Sequence, residues 1–217
     1  MNLLITGATG MVGSELLRQA IADNDVRSVI ALSRKPLDIQ HPKLKTVIHK
    51  DFLDYGSLHT LFAETDACAW CLGVSQLQVS KEEYVIITYD YTMTAATAML
   101  AANPKINFVF VSGEGADQSG KTKALFGRVK GKAEKDLSEL PFEKLIITRP
   151  GGIQPITKNP RAPFLYKIFY FFFPVFRILI PSKLITSVEL AKAILVAIKT
   201  KTGKIILNNK ELKELLK

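Results

Sequence analysis

The loop near the start of the chain constrains the fold more than any other stretch. Residues 3–5 form an apolar run that predicts a short buried strand, and residues 14–21 have the spacing of an amphipathic helix. Gly7, Gly10 and Gly13 stand between them, spaced G-x-x-G-x-x-G. In open α/β sheets such a loop builds a phosphate site, because glycines let the backbone come close to an anion and unpaired N–H groups at the helix start face it. We therefore predict a dinucleotide-binding unit here.

Short apolar runs alternate with helical stretches along the 217 residues. This alternation predicts an α/β fold, in which a doubly wound parallel sheet carries helices on both faces. We expect one dinucleotide-binding domain over 1–217, with a small, cap-like apolar insertion at 153–186. Further strands are predicted at 28–32, 45–49, 67–72, 107–111, 143–148 and 204–207, and further helices at 56–64, 81–103, 121–137, 187–200 (with Ser187 as its N-cap) and 209–217.

The formal net charge of +9 fits an anionic ligand, an anionic surface or nucleic acid, or simply a lysine-rich solvated surface. A dinucleotide needs few positive charges, whereas an anionic membrane surface or a nucleic acid uses more. We expect no nucleic-acid partner, because the one basic cluster is interleaved with Glu134 and Asp136 and lacks the aromatic interleaving of a nucleic-acid platform. That cluster comprises Lys121, Lys123, Arg128, Lys130, Lys132 and Lys135.

Cys68 and Cys71 have the C-x-x-C spacing of redox and zinc sites. They fall in a predicted strand, however, where residues three apart point to opposite faces, so their sulfurs would not meet. The three histidines are scattered along the sequence, at positions 41, 49 and 59, and offer no complete zinc ligand set. We therefore expect core cysteines and no metal site.

The segment 164–180 is intensely apolar, but Lys167 and Arg177 interrupt it and Pro174 breaks it. It has too few consecutive uncharged residues to form a membrane-spanning helix. We expect it either to be an ordinary core helix or to wall an apolar substrate site, with an exposed part docking on a peripheral membrane or protein partner. The N-terminus shows no signal-peptide pattern, so the expected location is cytoplasmic.

Ligands of an open α/β sheet bind outside the carboxyl ends of its strands. Arg34 and Lys35 follow the second strand and suit a 2′-phosphate, which favours NADP over NAD. Asp51 could accept a hydrogen bond from the adenine amino group, or could simply cap a turn. The expected cofactor contacts are Gly7, Thr9, Gly10, Met11, Val12, Gly13, Ser33, Arg34, Lys35, Asp51, Phe52, Leu72, Gly73, Pro150, Gly151 and Gly152.

Five segments together resemble the atypical short-chain dehydrogenase/reductase superfamily, and within it the Tat-interacting-protein-like oxidoreductases. They are 7–13, 51–52, 112–117, 126–134 and 149–151. The resemblance implies a Rossmann fold, a bound nicotinamide dinucleotide (commonly NADPH), and hydride transfer to a carbonyl group. It covers residues 2–152 well and the remainder loosely.

The resemblance also implies a catalytic serine, tyrosine and lysine, the last two spaced Y-x-x-x-K so that they share one helix face. Ser112 and Lys130 match, and Lys130 is implied to hold the cofactor ribose, but the tyrosine position is Phe126, which has no proton to give. Two functions stay open. One is an NADP-dependent oxidoreductase that polarises a carbonyl with Ser112 and uses another proton donor. The other is a dinucleotide-binding scaffold or redox sensor that acts through a partner. The helices at 81–103 and 121–137 are where a homodimer is expected.

Overall fold

The computed structural model describes residues 1–155 and 183–217. Seven parallel strands form one sheet in the order β3-β2-β1-β4-β5-β6-β9. This confirms the predicted doubly wound parallel sheet of a Rossmann fold, with strand positions close to those expected. The strands are β1 (Asn2–Thr6), β2 (Ser28–Ser33), β3 (Leu44–Ile48), β4 (Ala67–Trp70), β5 (Asn107–Val111), β6 (Lys144–Arg149) and β9 (Gly203–Asn208), with β7 (Gly152–Gln154) and β8 (Leu184–Thr186) outside the sheet.

Helices cover both faces of this sheet. They are α1 (Met11–Ala22), α2 (His59–Ala63), α3 (Lys81–Val85), α4 (Tyr91–Ala102), α5 (Leu125–Glu139), α6 (Ser187–Thr200) and α7 (Asn209–Glu214), with a 3-10 turn at Gly56–Leu58 and a π-helical turn at Ile86–Asp90. The helix predicted at 81–103 is therefore two α-helices joined by a π turn. Such a turn inserts one extra residue and changes the direction of the side chains that follow.

Three helix starts and one helix cap differ from the prediction. α1 begins at Met11 instead of residue 14, and the segment predicted as a helix from residue 56 begins with a 3-10 turn before α2. The helix expected from residue 121 begins at Leu125, because the Asp117 carboxylate accepts hydrogen bonds from the N–H groups of Ser119 (2.9 Å) and Thr122 (2.8 Å) and holds the preceding residues in a turn. The expected cap Ser187 is wrong by one residue. Thr186 is the N-cap of α6, and it forms a capping box with Glu189.

The core has one apolar cluster on each face of the sheet, because successive residues of a strand point to opposite sides. Leu3 and Ile5 belong to the cluster under α1 and α6, and Leu4 belongs to the aromatic cluster under α4 and α5. Cys68 lies in the aromatic cluster, whereas Cys71 packs against the other one. Both thiols are free, and burial raises their pKa values, that of Cys71 to about 12.

The predicted cap insertion at 153–186 lies mostly outside the described residues, as does the whole segment 164–180. At its two ends, β7 and β8 pair in parallel through Gly152–Leu184 and Gln154–Thr186. Among residues 1–155 and 183–217, no helix is long and apolar enough to cross a membrane.

Candidate functional site

The glycine loop between β1 and α1 is folded tightly onto the end of β4. Gly7 has a φ of +64°, and a Cβ atom there would lie 2.6 Å from the Cys71 carbonyl oxygen. A Cβ on Gly13 would lie 2.2 Å from the Gly7 carbonyl oxygen, so both positions exclude any side chain. A Cβ on Gly10 would meet only the Gly7 carbonyl oxygen, at 3.1 Å. This glycine therefore leaves open the outer side of the loop.

The first turn of α1 presents its backbone N–H groups to that open side. Gly10 is the N-cap, has no side chain to cap the helix, and no acidic residue stands in the first turn. Thr9, Gly10 and Met11 are exposed, whereas Val12 and Gly13 are buried against the sheet. Uncapped N–H groups and the positive end of the helix dipole make this a site for an anion such as a pyrophosphate.

The ends of β2 and β3 carry the outer predicted contacts. Arg34 and Lys35 are exposed, and the half-buried Ser33 hydroxyl accepts a hydrogen bond from the Lys35 N–H at 3.4 Å. The Asp51 carboxylate accepts from the Leu53 N–H at 2.9 Å, which is the turn cap named above as the alternative. Phe52 is only 2% exposed, so its side chain belongs to the aromatic core and a cofactor could reach only its backbone.

The predicted contacts after β4 stand beside the glycine loop. The Leu72 N–H donates to the Thr6 hydroxyl at 3.1 Å, which ties the ends of β1 and β4 together. Gly73 is exposed, and a Cβ there would meet nothing within 4 Å. The chain therefore opens outward at Gly73 and leaves room for a ligand along this edge.

The backbone after β6 is held firmly in place. The Pro150 carbonyl accepts from the Glu114 N–H at 2.8 Å, and the Gly151 N–H donates to Asn209 Oδ1 at 3.1 Å. A Cβ on Gly151 would lie 2.0 Å from the Lys183 carbonyl oxygen, so only glycine fits there. The half-buried Gly152 follows and opens β7. This stretch forms a rigid backbone rim at the same edge of the sheet.

Lys130 projects from α5 onto the end of β5. Its Nζ donates to the Val111 carbonyl at 2.9 Å and lies 4.5 Å from the centroid of the Phe110 ring. Burial lowers the pKa of Lys130 to about 8, although Glu134 and Cys71 act in the opposite direction. An ammonium group that titrates this close to neutral pH can both hold hydrogen-bond acceptors and exchange protons.

Phe126 lies one helical turn before Lys130, and its ring rests on the loop after Ser112. A Cβ on Gly113 would lie 2.7 Å from the Phe126 Cζ atom. The ring edge therefore borders Gly113, the residue after Ser112, and Phe126 occupies the position where the resemblance implies a tyrosine. Lys130 thus contacts Val111 and Phe126 lies beside Gly113, the two residues that flank Ser112 in the chain.

The structure also shows a buried ion pair beside Ser112 that was not predicted as part of the site from the sequence. Glu134 is fully buried and pairs with Arg149, whose Nε lies 2.9 Å from Glu134 Oε1 and whose Nη2 contacts Oε2. Gln118 Nε2 donates to Oε2 at 3.1 Å, and the Ser112 hydroxyl donates to Oε1 at 2.5 Å. The available signal was the spacing of Glu134, which stands four residues after Lys130 and so on the same helix face.

Comparison with known proteins agrees with this geometry. Residues 3–141 match the family described as the NAD dependent epimerase/dehydratase family. Protein HTATIP2 of Rattus norvegicus is 28% identical over 153 residues, which are 69% of this chain and 62% of that protein. The mitochondrial protein FMP52 of Meyerozyma guilliermondii is 30% identical over 152 residues, 70% of this chain and 64% of that protein. The chain thus spans less than two thirds of these relatives, and the matches confirm the resemblance drawn from the sequence.

Solved structures share the fold at low sequence identity. UDP-glucose 4-epimerase of Thermotoga maritima, solved with UDP-glucose, has a TM-score of 0.72 at 14% identity and covers 99% of this chain and 81% of its own. The dTDP-glucose 4,6-dehydratase of Bacillus anthracis, solved with NAD, has a TM-score of 0.72 at 16% identity and covers 96% of this chain and 74% of its own.

Proposed function

Since the chain belongs to the NAD dependent epimerase/dehydratase family, we propose that it binds NADP in preference to NAD and acts as an oxidoreductase on a carbonyl or hydroxyl group. The observation that carries this proposal is the glycine loop, in which Gly7 and Gly13 have no room for a side chain while Gly10 borders open space at a helix N-terminus. That cradle fits a pyrophosphate. The rest of the cofactor would lie along the carboxyl edge of the sheet.

Each residue of the edge has a role in this proposal. Arg34 and Lys35 hold the 2′-phosphate, Lys130 holds the nicotinamide ribose hydroxyls, and Ser112 contacts the reacting oxygen. The backbone at 150–152 lines the nicotinamide, whose ring takes up or releases the hydride when the cofactor is bound. Phe126 contributes no proton and makes this side of the site apolar.

Arg34→Glu tests the nucleotide preference. The added carboxylate would repel the 2′-phosphate, so we expect the affinity for NADPH to fall by about 30-fold or more and that for NADH by less than about threefold. Fluorescence titration of the two reduced cofactors measures both values. The matched control is Lys43→Glu, a charge reversal just before β3 and therefore at the opposite end of these strands from Arg34, where Lys43 Nζ donates to the Asp23 carbonyl. Equal losses for both cofactors in Arg34→Glu would contradict the assignment.

The pH dependence of NADPH affinity tests the role of Lys130. The charged ammonium is the form that donates to ribose hydroxyls, and burial lowers its pKa to about 8. We therefore expect nearly constant affinity below about pH 7, a loss of about twofold at pH 8, and a fall approaching about tenfold per pH unit well above pH 8. Lys130→Arg stays charged and should remove this slope, whereas Lys130→Met should bind weakly at every pH. A flat wild-type profile would refute the assignment.

Phe126→Tyr tests whether the missing hydroxyl limits the chemistry. The Phe126 ring edge already borders Gly113, so a tyrosine there would bring a proton donor next to Ser112. We expect NADPH-dependent reduction across a panel of aldehydes and ketones to rise by about 100-fold. Phe126→Leu is the control for packing. No gain in Phe126→Tyr would mean that another group already supplies the proton.

Phe126 also favours a second candidate function, a dinucleotide-binding scaffold or redox sensor whose effect passes through a partner. Tight NADPH binding without turnover of the carbonyl panel is the result that would support it. The expected partner surface at 164–180 lies outside the described residues, and a homodimer through α4 and α5 is a further proposal that native mass spectrometry tests.

We keep the cytoplasm as the proposed location. Fractionation with a mitochondrial marker tests it, because the FMP52 relative is named as a mitochondrial protein.

A further inference from the structure

We propose that Glu134 makes Ser112 a hydrogen-bond acceptor toward its ligand, so that the site selects a hydroxyl group over a carbonyl group at that position. The inference deepens the proposed function and rests on it, because it names which of the two substrate classes binds. It also reverses the expectation that Ser112 polarises a carbonyl.

The buried Glu134 carboxylate can only accept hydrogen bonds. It is fully buried and forms an ion pair with Arg149, and Gln118 Nε2 donates to its second oxygen at 3.1 Å. Three different side chains therefore donate to one acid, the third being Ser112. A carboxylate with this many donors compensates for the loss of water around a buried charge.

The Ser112 hydroxyl has one proton, and the carboxylate takes it. The distance between Ser112 Oγ and Glu134 Oε1 is 2.5 Å, which is typical of a strong bond from a hydroxyl to an ionised acceptor. Only the lone pairs of Oγ are then left for a ligand. A ketone oxygen placed there has no proton to donate, so its lone pairs would face the lone pairs of Oγ. An alcohol, by contrast, can donate its hydroxyl proton to Oγ.

Among the described residues, the side chains of Phe126 and Lys130 do not restore a donor at this point. Phe126 has no polar atom, and its ring covers the Gly113 side of the loop. Lys130 Nζ donates one hydrogen bond to the Val111 carbonyl, and in the proposed function its other N–H groups donate to the cofactor ribose. Glu134 thus fixes the direction of the Ser112 hydrogen bond without contacting the ligand itself. We therefore class Glu134 as a positioning residue.

Glu134→Gln reverses this direction while keeping the shape. Glu134 Oε2 faces Gln118 Nε2 and Arg149 Nη2, so the amide oxygen of glutamine takes that place. Its NH₂ group takes the place of Oε1, which faces Ser112 and Arg149 Nε. Ser112 then accepts from the amide and turns its own proton toward the ligand. The variant should therefore lose the preference for alcohols or exchange it for a preference for ketones.

The first experiment needs neither cofactor nor substrate. In protein labelled with ¹³C at serine, we expect a slowly exchanging, downfield hydroxyl proton correlated with the Ser112 Cβ. It should be absent in Ser112→Ala and move upfield in Glu134→Gln. Absence of this resonance in the wild type overturns the proposal, and it does so whatever the protein binds.

The second experiment measures selection in unreactive complexes. Cyclohexanol and 1-phenylethanol are titrated into protein saturated with NADPH, and cyclohexanone and acetophenone into protein saturated with NADP⁺, by ligand-observed NMR. We expect each alcohol to bind about three- to tenfold tighter than its ketone, the effect of one hydrogen bond. The ratio should approach one in Ser112→Ala and fall to one or below in Glu134→Gln.

Equal or tighter binding of the ketones by the wild type overturns the proposal. So does an alcohol preference that persists in Ser112→Ala, and so does a panel in which neither member binds. Failure of the proposed function is recognised separately, because it appears as a lack of NADPH binding in the fluorescence titration while the Ser112 hydroxyl resonance is still observed.

Discussion

Gly10→Val is expected to lower the affinity for NADPH by about 100-fold or more without unfolding the protein. Gly10 has extended backbone angles that any residue adopts, and a Cβ there meets only the Gly7 carbonyl oxygen, at 3.1 Å. The valine methyl groups would instead stand over the first turn of α1, in the space proposed for the pyrophosphate. Gly13 offers no such test, because a side chain there would collide with the loop itself.

Fluorescence titration gives the NADPH affinity of Gly10→Val, and thermal denaturation shows whether the fold is kept. Gly56→Ala is the matched control, since a Cβ at Gly56 lies 3.4 Å from Asp54 Oδ1 in the turn before α2 and should change neither value. Unchanged NADPH affinity in Gly10→Val would remove the pyrophosphate from the glycine loop.

Glu134→Ala is expected to lower the free energy of unfolding by about 3–5 kcal/mol. It leaves the guanidinium of Arg149, whose side chain is 26% exposed, without its partner, and it removes the acceptor of the Ser112 and Gln118 bonds. An uncompensated charge in a mostly buried position costs far more than a lost surface pair.

Urea denaturation measures this loss. The control is Asp25→Ala, which breaks a pair between Lys199 and a side chain that is 70% exposed and should cost less than about 1 kcal/mol. A loss below about 1 kcal/mol for Glu134→Ala as well would show that the buried pair contributes no more than a surface one. The direction of the Ser112 hydrogen bond is tested independently of this variant, by Glu134→Gln and Ser112→Ala.

The parts of the fold that could be predicted are those that depend on local sequence patterns. Apolar runs such as 107–111 mark buried parallel strands, and the glycine spacing marks the loop before α1. Ser112 and Lys130 were identified because they stand at the serine and lysine positions of the family motif. They lie near each other in space because α5 packs against the end of β5. The helix cap at Thr186 and the start of α5 at Leu125 were missed, because side-chain bonds from Glu189 and Asp117 decide them.

By itself, the sequence determined a Rossmann fold with a glycine loop, because strand, turn and helix signals are local, and it placed a phenylalanine where the resemblance implies a tyrosine. Only the tertiary structure decided what stands behind Ser112. Glu134 belongs to α5, Arg149 to the end of β6 and Ser112 to the end of β5. Their meeting depends on the pairing of β5 with β6, where the Ser112 N–H donates to the Thr148 carbonyl, and on the docking of α5. No local pattern contains that arrangement, and it sets the direction of the Ser112 hydrogen bond.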